Sequence, residues 1–299
     1  MSGSRTDTRE GLRALAFASD DGATWGAAVP DGQGWSVVIG PAGGAWTAAT
    51  GLDLAEDPDG SWRLGRDGDS AEDPVALRIV PEQPPVAPPA GAPDPSGEEP
   101  AVREPATREP AAREPAARES AARESAARLP PGAAFVPGAG PELCRLTGML
   151  AGRSVDWWAV RMRLPAPRSA RDEPGSLRLV AGWMADGSAF GLIAARSRRA
   201  ERADQDVVSA TLFDPESWLA ASEPRLSTTY GPGEIPSRVN LELWVGEGEH
   251  EFARRAAGEA SGAPVAAGGA LGEGTVQVIP LRCHSRGEEG FGVYVLAIL

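Results

Sequence analysis

The sequence predicts an all-β protein, two antiparallel barrel or sandwich units joined by a long low-complexity segment. Three observations predict it. Short apolar runs alternate with Asp-Gly and Gly-Gly turn signals at both ends of the chain. Several runs alternate apolar and polar residues with period two, the spacing of a strand. Between them, residues 101–128 repeat a five-residue unit, AVREP-ATREP-AAREP-AARES-AARES-AAR, which buries nothing.

The N-terminal unit spans residues 9–80. Its runs are LRALAF, ATWGAAV, WSVVIG, AWTAAT, SWRLG and VALRIV, separated by Asp21-Gly22, Asp31-Gly32, Gly43-Gly44, Asp59-Gly60 and Asp67-Gly68. Runs of that length between such pairs indicate strands and hairpins. Trp25, Trp35, Trp46 and Trp62 each occupy a different run. They read as one small aromatic core, with a ligand-stacking surface as the alternative.

Residues 81–140 form the linker. Its first part, PEQPPVAPPAGAPDPSGEEP, is Pro-rich and favours extended polyproline II. In the pentads each Glu stands four residues before the next Arg, the favourable helical order at roughly 0.2–0.5 kcal/mol per pair. Pro105, Pro110 and Pro115 oppose a helix at about 3 kcal/mol each, so the first units stay extended. After Pro115 that obstacle is gone, and residues 116–129 read as a helix of about four turns. A five-residue period advances about 140° beyond a full turn, so no stripe forms and a coiled coil is excluded. The segment reads as a disordered, solvated spacer, or else as a docking segment.

The C-terminal unit spans residues 141–299. In VDWWAVRMRL, Trp158, Val160, Met162 and Leu164 fall on one face, with Arg161 and Arg163 on the other. In RVNLELWVG, Val239, Leu241, Leu243 and Val245 alternate with Asn240, Glu242 and Trp244. Further runs bring the expectation to about eight or nine strands, as in barrels and sandwiches. Asp186-Gly187 marks the clearest hairpin.

Composition narrows the function. The net charge is −13, and residues 1–80 hold 13 acids against 6 arginines. A phosphate backbone or an anionic membrane surface is repelled, which argues against nucleic-acid binding. MSGSRTDTRE has no basic start followed by an apolar stretch, so a Sec-type signal is not expected. No apolar run reaches the roughly 18 residues of a membrane span. The expected address is the cytoplasm, where Cys144 and Cys283 stay reduced.

Chemical signatures are sparse. Two histidines and two cysteines, without CxxC or HxxxH spacing, give no metal site, and no cofactor is expected. Cys283 and His284 adjoin, but neighbours in a strand point to opposite faces and cannot pair. Cys283 could instead meet His250 across the fold, although a buried structural cysteine fits it better. No GxSxG, no dinucleotide fingerprint and no phosphate loop is present. What remains is aromatic and acidic. Trp157, Trp158, Trp183, Trp218, Tyr230 and Trp244, with Glu242, are candidate ligand-binding residues in a barrel. Asp156 is the candidate catalytic acid. A protonated carboxyl there could protonate an alkene, with Trp158, Trp183 and Tyr230 around the cation. The alternative is that the aromatics fill the core and the acids face water.

The segments WMADGSAFGLIAA, FDPESWLAASEPRLSTTYGPGEIPSRVNLELWVG, RRAAGEASG and CHSRGEEGFGVYVL occur in that order. Together they resemble the C-terminal half of AttH-like proteins, the two-barrel, lipocalin-like relatives of carotenoid 1,2-hydratase (hydroxyneurosporene synthase). LRALAFASDDGATWGAAV resembles the opening of their first barrel. The resemblance implies paired lipocalin-like barrels suited to terpenoid-like or polyketide-like ligands, with hydratases and cyclising enzymes among the members. Two departures stand out. LAGRSVDWWAVR lacks the family's histidine before the Trp-rich strand. The linker also falls where the first barrel should continue, leaving about 70 residues for it. The leading expectation is therefore binding of a hydrophobic small molecule without catalysis. The alternatives are a hydratase, isomerase or cyclase, and a two-module interaction protein whose surface is residues 1–80.

Overall fold

The computed structural model describes residues 12–30, 34–41, 47–66, 75–84, 140–164, 174–200, 206–246, 251–271 and 274–298. The expected helix over 116–129 and the extended Pro-rich segment lie outside the described residues. Among the described residues eighteen strands form two antiparallel assemblies, as the sequence predicts.

The first is a closed barrel of β1 (Leu12–Ala18), β2 (Thr24–Pro30), β3 (Trp35–Pro41), β4 (Thr47–Glu56), β5 (Trp62–Gly65), β6 (Val75–Pro81), β7 (Glu142–Leu150) and β8 (Arg153–Leu164). This moves the expected boundary at 140/141. β7 pairs with β6, Pro81 opposite Cys144, and β8 pairs with β1, Leu12 opposite Leu164. The low-complexity segment thus sits between two neighbouring strands of one barrel instead of between two domains. It replaces nothing, because the barrel resumes after it.

The second assembly is a ten-stranded sheet. It contains β9 (Pro174–Met184), β10 (Ala189–Ser197), β11 (Val207–Asp214), β12 (Ser217–Ala220), β13 (Arg225–Tyr230), β14 (Pro236–Val245), β15 (Phe252–Ala260), β16 (Val265–Leu271), β17 (Gly274–Ser285) and β18 (Glu288–Ile298). The strand order is 12-11-10-9-18-17-15-14-13, with β16 on β17. Among the described residues twelve strands follow residue 140, more than the eight or nine expected, because the short SWLA, the polar RLSTTY and the Ala/Gly-rich VAAGGAL are strands as well. No helix among the described residues is long and apolar enough to cross a membrane.

Local chemistry explains the turns. At Asp186-Gly187, Gly187 takes φ 81°, a region that favours glycine, and Asp186 Oδ1 accepts the Ser188 N–H at 2.9 Å. Asp21 does the same between β1 and β2, accepting the Ala23 N–H, with Gly22 at φ 67°.

Three apolar clusters result. One fills the first barrel, with Phe17, Trp35, Trp62 and Leu146 at its centre. One fills the curl of the second sheet, around Val180, Phe190, Leu241 and Tyr294. The third is the seam between them. Ala14, Ala16, Val160 and Met162 on the outside of the first barrel meet Leu177, Leu179, Val293 and Val295 of the second sheet. Burying one such Leu or Val contributes about 1.5–3 kcal/mol, so the seam fixes the two assemblies against each other. Trp25 belongs to this seam while Trp35 and Trp62 lie inside the barrel, so the N-terminal tryptophans do not form one core. Trp46 lies outside the described residues.

The alternation in β8 is present, and its polar face points inward. Arg161 and Arg163 close one end of the first barrel. Arg161 Nε donates to Glu142 at 2.5 Å, both side chains 4% exposed, and its Nη1 donates to the Gly60 carbonyl. Arg163 pairs with Glu56 at 2.6 Å and Arg13 with Glu56 at 3.1 Å. All three guanidiniums lie over the Trp62 ring, 5.0–5.6 Å from its centroid.

Candidate functional site

The predicted site residues do not converge. Asp156 stands on the outer face of β8 with its side chain 65% exposed. Its Oδ1 accepts from Arg145 Nε at 2.6 Å, and Arg145 also reaches Asp20 at 3.3 Å and covers Trp158 at 4.6 Å. Outward and ion-paired, Asp156 touches no interior.

The tryptophans separate onto three surfaces. Trp157 lies inside the first barrel, stacked on Phe17 with centroids 6.0 Å apart. Trp183 and Trp218 join Trp158 at the seam, Trp183 stacked on Phe291 and Trp218 edge-on to Phe213. Trp244 alternates with the inward Leu243 and Val245, so it takes the opposite face of β14.

Glu242 lies in an open groove of about 500 Å³ on the outer face of the second sheet. One wall is the register row Arg225, Glu242, Arg255; the other includes Ser227, Asn240 and His284. Glu242 pairs with Arg255 at 3.1 Å and with Arg225 at 3.6 Å. Its charge is already answered, which makes this a solvated ion-pair row.

The cysteines are separate and free. Cys144 is inside the first barrel and Cys283 inside the second sheet, and burial pushes both thiols up to about 12. Cys283 and His284 point to opposite faces of β17, as expected, and His284 lies 4.0 Å from Glu289. His250 lies outside the described residues. Among the described residues no group of three His, Cys, Asp or Glu side chains is placed to hold a metal.

The second sheet's inner face holds a different constellation. Tyr294 is fully buried in β18, and its hydroxyl lies among those of Thr228 and Tyr230 from β13. Tyr294 Oη and Thr228 Oγ1 are both buried and act on one another, but among the described residues neither has a partner at regular hydrogen-bond geometry. Burial pushes the Tyr294 phenol well above its ordinary value of 10. Tyr230 is 48% exposed, so it stands at the rim with Tyr294 below. Among the described residues β13 pairs only with β14, and the strand at the other edge, β12, covers only the Thr211–Asp214 end of β11. The rim therefore stands where the sheet's two edges leave its ladder open.

Charged groups share this inner face. Arg178 lies two positions before Val180, the register partner of Tyr294, and its charge acts on the Tyr294 phenol. Asp206, 3% exposed, accepts from Arg178 Nη2 and from Arg196 Nε, the latter at 2.7 Å. Gln277, opposite Leu296, has a buried Oε1 without a partner. Of these residues only Tyr230 was a sequence candidate. The legible signal was Arg178, a charge inside the apolar run SLRLVAGWM.

No family model and no curated protein matches the sequence. Solved structures do. A provisionally named AttH of Nitrosomonas europaea is 11% identical with TM-score 0.46, covering 98% of this chain and 94% of that one. CghA with Sch210972 is 10% identical with TM-score 0.54, covering 96% and 88%. Kievitone hydratase from Nectria haematococca is 8% identical with TM-score 0.43, covering 100% and 93%. The likeness is one of fold. It rests on CghA and agrees with the AttH-like resemblance of the sequence segments.

Proposed function

We propose that the protein binds an apolar small molecule inside its second sheet, anchored by the Tyr294, Thr228 and Tyr230 hydroxyls, and releases it unchanged. The observation that carries this reading is the pair of neighbouring buried hydroxyls, Tyr294 and Thr228, outside regular hydrogen-bond geometry beside the apolar side chains of the second sheet's inner cluster. An unsatisfied buried polar group costs about 1–3 kcal/mol, and native interiors keep few of them. A ligand oxygen between the two removes that cost, while Val180, Leu192 and Ile279 suit an apolar body.

Binding fits better than catalysis. A general acid works best with a pKa near the working pH, and burial moves Tyr294 away from neutrality. Its phenol is a hydrogen-bond donor and a poor proton donor. Asp156 faces solvent, and Asp206 is committed to two guanidiniums. CghA, whose fold the chain shares, is solved with Sch210972, which accords with a ligand-holding role.

Native mass spectrometry after gentle cell extraction tests the proposal. The wild-type chain is expected to carry a hydrophobic mass, and Tyr294→Phe to carry less of it. A chain that retains nothing, and takes up nothing from a mixture of hydrophobic compounds, overturns it.

A further inference from the structure

The ladder of the second sheet is interrupted along its side. Its edge strands are β12 and β13, and β12 bonds β11 only over Thr211–Asp214. One further bond joins the Ala221 N–H to the Ala210 carbonyl at 3.0 Å. Among the described residues, Val207–Ser209 of β11 and Arg225–Tyr230 of β13 each keep one edge without a strand partner.

The burial of the inner cluster follows this break. Its members on β9, β10, β14 and β17 are all buried. Val208 of β11, Leu219 of β12 and Leu226 of β13 are only partly so. They stand opposite Ala194, Leu212 and Leu241, cluster members themselves, so they face inward. Thr228 follows Leu226 by two residues and shares its face, which puts the buried hydroxyls directly behind the free edge of β13. The end of the sheet is different. There Arg178 and Asp206, 14% and 3% exposed, form an ion pair that Arg196 joins. An apolar molecule passing that way displaces water from charged groups, a cost that apolar side chains do not impose.

We infer that the ligand enters and leaves sideways, between β11 and β13, past Val208 and Leu226. This inference rests on the binding reading above and concerns the route alone. Edges that share no ladder bond part without breaking one, whereas other lateral routes separate hydrogen-bonded strands. Local opening also draws on segments with few backbone hydrogen bonds.

Stopped-flow mixing of the full chain with decan-1-ol, read by tryptophan fluorescence, tests the route. Leu226→Phe is expected to slow association and dissociation alike, about tenfold, and to leave Kd within about threefold. Leu226→Ala is expected to speed both. Val208→Phe narrows the passage from the other side and serves where Leu226→Phe fails to fold. Ile298→Phe, at an exposed position at the end of β18, is expected to leave both rates within about twofold of wild type. Wild-type rates in the Leu226→Phe and Val208→Phe chains overturn the inference and leave the binding reading standing. So does an Ile298→Phe chain slowed as much as they are. A wild-type chain that takes up no decan-1-ol overturns the binding reading and the route with it.

Discussion

Pro81 and Cys144 stand opposite each other on adjacent antiparallel strands, 63 positions apart in the chain. The Glu82 N–H continues the ladder to the Leu143 carbonyl at 3.0 Å. The place of a hairpin turn is therefore taken by residues 82–141.

Replacing residues 86–139 by a short Gly-rich turn is expected to keep the fold. Loop-closure cost grows as the logarithm of length, so shortening the connection about tenfold stabilises the chain by about 2 kcal/mol. Urea denaturation checks this through a raised midpoint with unchanged circular dichroism. Loss of cooperative unfolding would show that the segment holds the barrel together.

A fragment of residues 1–80 is expected not to fold. Without β7 and β8 the barrel cannot close, and β1 and β6 become open edges. A collapsed amide spectrum is the expected result. An interaction surface assigned to this fragment alone loses its basis, because the unit that folds runs to Leu164.

The Glu142–Arg161 pair is buried at 4% exposure on both sides. Arg161→Ala removes the guanidinium from this buried carboxylate and is expected to cost about 3–5 kcal/mol. Replacing both partners, Glu142→Leu with Arg161→Met, is expected to recover most of that loss. Urea midpoints of the three chains decide it.

Stability is expected to fall at both pH extremes. Burial alone would raise the Glu56 carboxyl, but the Arg163 hydrogen bond and the charges of Arg163, Arg13 and Arg161 hold it below 4.5. A carboxyl lowered in the folded state stabilises above its unfolded value, and that contribution is lost as pH falls through the folded one. Glu56→Gln should flatten the acid limb. At the alkaline end, burial raises Cys144 and Cys283 from 9.0 to about 12 and raises Tyr294 above 10.0. Stability from these groups is complete below their unfolded values and declines as pH rises past about 9. Tyr294→Phe should remove the part that begins near pH 10. Thermal unfolding across pH checks both limbs.

The turns were legible because their chemistry is local. Asp21-Gly22, Asp59-Gly60 and Asp186-Gly187 each supply a left-handed glycine, and each lies between paired strands. The alternation of β8 was legible as well, but alternation names two faces without saying which one is inside. Arg161 and Arg163 face the interior because Trp62, Glu56 and Glu142 receive them there. Trp158 faces out because the seam buries the outer face too. The domain boundary was misplaced because composition marks a solvated segment and says nothing about which strands pair across it. The hydroxyl cluster was illegible for the same reason. Thr228 and Tyr294 come from strands more than 60 positions apart, and only the curl of the sheet brings them together.

The chain has two tyrosines, Tyr230 and Tyr294, and both stand in the proposed site. Labelling tyrosine with carbon-13 at Cζ therefore gives two resonances that report on it alone. Titration with decan-1-ol, an apolar probe with one hydroxyl, is expected to move both to saturation, with the remaining Tyr230 shift reduced in Tyr294→Phe and both shifts preserved in Asp156→Asn. Resonances that stay in place throughout the titration would contradict ligand binding at the hydroxyl cluster.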